Sequence, residues 1–139
     1  MKISVMDGGN YLKGLLLLIR KDRKVTAPEI QLIKRVGETL GFERTFCDNA
    51  LGEILENKYI VDAPPKFSTK HIAVKFIKDG LKLAFSDHEM HPSEAAWLRS
   101  VAELNGLDAA WFRRESVHAA SKTQLPLRLE VDDLTVAYS

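Results

Sequence analysis

The chain is short of several things, and each shortage closes off a class of protein. One cysteine, Cys47, stands among 139 residues, so no intramolecular disulfide can form, and the single thiol says nothing about metal by itself. A lone free Cys is expected as a small buried hydrophobe. Neither charge sign dominates: 20 Lys and Arg face 19 Asp and Glu, for a net +1. The chain as a whole is therefore not suited to hold nucleic acid or an anionic membrane. The longest apolar run, Leu15 to Ile19, is five residues, far below the ~20 that span a bilayer. The N-terminus lacks the basic start, long apolar stretch and small-residue cleavage site of a secretory signal, and a cytoplasmic location is expected. There is no Gly-rich phosphate loop and no nucleophile paired with a base, so a non-enzymatic role is expected.

What the chain does have is an internal repeat. Tyr11 to Asp48 and Phe76 to Arg113 align without a gap at an offset of 65 residues, with eight identities in 38 columns against roughly two expected from ordinary composition. The punctuation matches as well. Gly41 and Gly106 each end an amphipathic run and are followed by an apolar and then an acidic residue, Phe42-Glu43 and Leu107-Asp108, the order of a helix stop and a new helix start. A chain that is 45% hydrophobic at this length supports one domain with a core, burying roughly 68% of its unfolded surface.

Apolar spacing places the helices. Tyr11, Leu12, Leu15, Leu16, Leu18 and Ile19 predict a first helix after a flexible Asp7-Gly8-Gly9-Asn10 lead-in. Ile30, Ile33, Val36 and Leu40 predict a second, and Phe46, Ala50, Leu51, Ile54 and Leu55 a third. In the second half, Ile72, Phe76, Ile77, Leu81 and Ala84 mark a fourth; Trp97, Leu98, Val101 and Leu104 a fifth; Ala110, Trp111, Val117 and Ala120 a sixth. The expected fold is an all-α bundle of six to seven helices, built from two pseudo-two-fold-related halves (9–56 and 69–120) joined by a Pro64-Pro65 connector over 57–68. The tail from 121 to 139 alternates apolar and polar residues at Leu125, Leu127, Leu129 and Val131, then at Leu134, Val136 and Tyr138. This predicts an extended arm that packs on the bundle or on a second subunit, with a further short strand over Ile3 and Val5.

The repeat centres on two carboxylate pairs, Asp22 with Glu29 and Asp87 with Glu94. Thr26-Ala27-Pro28-Glu29 is a capping-box sequence, and in the second half Pro92 sits in the first turn with Glu94 again at the third helical position, so Glu29 and Glu94 have a purely structural reading as helix-start residues. Asp22 and Asp87 fall where helices end, where the macrodipole disfavours an anion by about 0.3–1 kcal/mol. Either they form turns through their own backbone, or the four carboxylates share a hard cation such as Ca²⁺, Mg²⁺ or Mn²⁺. His88 and His91 flank the second pair and would extend the ligand set to Zn²⁺, whereas Arg20, Lys21, Arg23 and Lys24 surround the first with positive charge. The spacing excludes an EF-hand.

The pattern Asp-x-x-apolar-x-x-x-Glu, followed by an amphipathic helix and Gly-apolar, is present as Asp22 to Val25 to Glu29 through Gly41-Phe42, and as Asp87 to Met90 to Glu94 through Gly106-Leu107. It resembles the tellurite-resistance TerB-like family over residues 10–120. Arg23 and His88 stand where that family commonly has Gly. The resemblance implies an all-helical module of two similar halves, clustered acidic residues holding divalent metal (Asp22, Glu29, Asp87 and Glu94 here), and a cytoplasmic, stress-associated role through contacts with protein partners. Two alternatives stand beside it. One is a metal-independent scaffold or homodimerisation module whose acidic pairs only cap helices; the other is a small metal-dependent hydrolase with His88 or His91 as base.

Overall fold

A computed structural model describes residues 1–21, 25–57, 59–86, 90–121 and 128–138. Among these residues the chain is mostly helical, with α1 (Val5–Arg20), α2 (Ala27–Thr39), α3 (Arg44–Glu56), α4 (Lys70–Ala84), α5 (Pro92–Leu104) and α6 (Ala109–Ala120). Strand β1 (Lys2–Ser4) pairs in parallel with β2 (Thr135–Ala137), with Ile3 opposite Val136, and a 3₁₀ turn at Glu130–Asp133 precedes β2. No helix is long and apolar enough to cross a membrane among the described residues.

The repeat is visible in the helix limits. Moving α2 forward by 65 residues gives the limits of α5, and the start of α3 moved likewise gives the start of α6. Gly41 and Gly106 both take left-handed backbone, at φ +83° and +74°. The amides of Phe42 and Leu107 reach back to the Gly37 and Ala102 carbonyls, both at 2.9 Å. A six-to-one bond closing over a left-handed Gly is the Schellman stop, which a side chain with a Cβ would strain. The apolar residues after each stop, Phe42 and Leu107, then pack onto the core.

That core runs through both halves. Tyr11 of α1 meets Phe76 of α4 edge-on at 5.4 Å between centroids, and Phe67 and Trp97 close the cluster around Phe76. Cys47 is buried, as expected, against Gly37. The connector is held by side chains: Trp97 Nε1 donates to the Asp62 carbonyl at 2.9 Å. Asn105 donates to the Pro65 carbonyl and accepts from the Phe67 amide, both at 2.9 Å.

Three sequence expectations need correction. The Asp7-Gly8-Gly9-Asn10 segment is not a flexible lead-in, because Ser4 caps α1 three residues earlier: its Oγ accepts from the Asp7 amide at 3.0 Å. Gly8 is there for a close approach, since a Cβ would lie 2.8 Å from Val136 Cγ2. The tail's period-two pattern does not extend through Val131, which lies in the 3₁₀ turn, and its strand pairs with the N-terminus; Leu125 and Leu127 lie outside the described residues. Finally, Phe46, Leu55, Leu104 and Val117 continue their helices' apolar periodicity yet are exposed. Periodicity identifies an apolar face without saying what covers it.

Candidate functional site

Asp22, Arg23, Lys24, Asp87, His88 and Glu89 lie outside the described residues; Glu29, Glu94 and His91 lie within them. Glu29 Oε1 accepts from the Thr26 amide at 2.9 Å, and Thr26 Oγ1 accepts from the Glu29 amide at 3.3 Å. In α5, Glu94 Oε1 accepts from the His91 amide at 3.0 Å, and His91 Nδ1 accepts from the Ser93 amide at 3.1 Å. Both glutamates are 1% exposed. Each therefore turns an oxygen to the helix-start amides, satisfying donors that an α-helix leaves open. Among the described residues no three His, Cys, Asp or Glu side chains are grouped to hold a metal ion. One oxygen of each glutamate, Oε1, is thus engaged by the start of its own helix.

The basic residues before the first turn also have partners. Lys21 Nζ lies 2.6 Å from Asp62 Oδ2, with Arg20 on the other oxygen at 3.6 Å. His71 and His118 are exposed.

The fold adds a buried acidic centre that sequence reasoning missed. Asp79 of α4 is 1% exposed. It accepts from Tyr11 Oη at 2.7 Å, from the Glu130 amide at 2.6 Å and from the Val131 amide at 2.9 Å. Burial pushes its carboxyl up to about 6, against the pull of these donors and of Lys82. Burial and the Asp79 charge raise the Tyr11 phenol well above its usual range. Around this centre Arg35 pairs with Asp132 at 2.6 Å, Lys75 and Lys82 flank Glu130 at 3.6 and 3.7 Å, and Tyr138 Oη donates to the Leu40 carbonyl at 2.7 Å. Asp79 thus ties the C-terminal strap (128–138) to α1 and α4. A signal existed in the sequence: Ile72, Phe76, Asp79 and Leu83 follow one another at helical steps, which puts Asp79 on the buried line of α4.

On the opposite flank α1 and α3 enclose an open cleft of about 450 Å³. Its floor is apolar, formed by Leu12, Leu16 and Ile54 together with Ile60 from the connector. Met6 and Phe46 stand at its mouth, 76% and 53% exposed, and Phe46 is stacked on Phe42 at 5.3 Å. Gly9 and Ala50 line it with little side chain, and Lys13 and Glu53 place one charge on each wall. The stripe Met6, Gly9, Asn10, Lys13 follows helical steps, but its mix of polar and small residues gave sequence reasoning no cause to single it out. A concave, mainly apolar space of this size is in the range that binds ligands or protein side chains.

Compared with protein-family models, curated proteins and solved structures, the chain matches none of them.

Proposed function

We propose that this chain is a helical interaction module that docks an apolar protein surface in the cleft between α1 and α3, while its duplicated glutamates serve as helix caps. The observation that carries the reading is the exposed pair Met6 and Phe46 over a buried apolar floor: large apolar side chains grouped at a cavity mouth mark an interaction site more often than a solvated surface does. A separate observation supports the metal-independent reading of the acidic pairs: one oxygen of Glu29 and one of Glu94 already accept from the amides that start their helices. The TerB-like resemblance implies a compatible mode of action, contact with other proteins in a stress-related role.

The test uses the dye 1-anilinonaphthalene-8-sulfonate, which brightens in apolar clefts. Native protein is expected to enhance its fluorescence, and Phe46→Glu to remove most of the enhancement while leaving thermal unfolding unchanged. Equal enhancement by both proteins would overturn the cleft reading. The metal alternative is tested separately by thermal unfolding with Ca²⁺, Mg²⁺, Mn²⁺ or Zn²⁺. No stabilisation is expected; a stabilisation abolished by Asp87→Ala would replace capping with ligation as the role of the acidic turns.

A further inference from the structure

We infer that the surface seated on the α1–α3 cleft is a second copy of this chain, an inference that rests on the cleft being a docking face. Charge on the two walls points to a second copy. Exposed Lys13 stands on the α1 wall and exposed Glu53 on the α3 wall of the same cleft. A two-fold axis along the cleft lays α1 of one copy over α3 of the other, so the wall carrying Lys13 meets the wall carrying Glu53 in the second copy. A partner of one charge sign would be drawn to one wall and repelled by the other; this chain supplies both signs in the order the walls need.

The shape of the face is self-complementary as well. Phe46, braced by its stacking on Phe42, stands beside the hollow floored by Leu12, Leu16 and Ile54. The same face carries a knob and a hole, which is what an isologous interface requires, since each copy must both give and receive. Aromatic side chains entering such hollows are the usual anchors of protein interfaces. A net charge of only +1 leaves two copies little long-range repulsion to overcome.

Sedimentation velocity across about 1 μM to 1 mM reads the self-association, whose midpoint falls in that range for binding energies of roughly 4–8 kcal/mol. Wild type is expected to dimerise, and Lys13→Glu and Glu53→Lys each to weaken the dimer about tenfold or more. Mixing these two variants should restore association, because every opposed pair is then unlike, and the double swap Lys13→Glu with Glu53→Lys should restore it within one protein. A wild type that stays monomeric throughout overturns the inference, as does a dimer indifferent to both single changes. Failure here is separable from failure of the cleft itself: a monomer whose dye binding is still lost in Phe46→Glu keeps the docking face and loses only the second copy. Dye binding indifferent to Phe46→Glu removes the face.

Discussion

The two halves share a helical plan and differ in what they do with it. At equivalent places 65 residues apart, Tyr11 corresponds to Phe76, Gly14 to Asp79, Ala50 to Glu115 and Leu40 to Asn105. The second half uses its departures to hold the chain's own segments: Asp79 takes the strap amides and Asn105 takes the connector. The first half uses Gly14 to admit the Phe76 ring, which a Cβ would approach to 2.7 Å, and leaves the cleft beside Ala50 open. Duplication supplies the scaffold, and the unpaired substitutions divide it into a face turned to the chain itself and a face turned outward.

The strongest way to break this comparison is to remove the strap. A chain ending at Ser121 exposes the contacts of Leu129, Val131, Leu134 and Val136, all buried, at roughly 1.5–3 kcal/mol for each side chain. A loss on the order of 6 kcal/mol or more rivals the whole stability of a domain this size, so cooperative thermal unfolding should disappear. A truncated chain that still melts sharply near the wild-type temperature would reduce the strap to an accessory.

The next effect is pH dependence from Asp79. Its carboxyl is raised from 3.8 to about 6 by burial, so in that interval the folded protein keeps a proton that the unfolded chain has lost. The contribution is favourable below about 4, falls as pH rises through about 6, and is then fully lost, a change of about 3 kcal/mol. Urea unfolding at pH 4, 5, 6 and 7 should show wild type losing ground by about that amount relative to Asp79→Asn, which does not titrate. Parallel pH profiles would mean that the carboxyl is not desolvated as the fold implies.

Tyr11→Phe makes the halves alike at one position and sharpens the same contrast. The phenol donates to a charged, buried oxygen at 2.7 Å, and losing such a bond costs roughly 1.5–3 kcal/mol. Because this donor holds the Asp79 carboxyl down, its loss should also move the upper end of the pH window higher. A variant as stable as wild type, with an unmoved window, would show that the strap amides alone hold Asp79.

Much of this was legible in the residues, for physical reasons that also explain the omissions. Local signals were strong where the cause is local: Thr26 with Glu29, Pro92 with Glu94, and the two Gly stops act within a few residues of themselves, and they appear where the spacing put them. The misses are long-range. Asp79 meets Glu130 and Val131 across 51 and 52 residues, and Gly8 is explained only by Val136 at the far end of the chain. Phe46 reads as core from its periodicity, yet it is 53% exposed at the rim of the cleft, with Phe42 stacked against it.

The smallest effects test whether the duplicated turns are truly alike. Thr26→Ala and His91→Ala each remove a side-chain acceptor at a helix start, and loss of such a cap costs typically ~1 kcal/mol. The Glu29→Gln and Glu94→Gln variants keep a side-chain oxygen for the N-cap amide and lose only the charge that favours a helix N-terminus, about 0.3–1 kcal/mol. If capping is the whole role of these glutamates, corresponding changes in α2 and α5 should agree within about 0.5 kcal/mol by urea unfolding, and distant pairs should add. A Glu94→Gln cost several times that of Glu29→Gln would break the equivalence. It would return the histidine-flanked second turn to consideration as something more than the beginning of a helix.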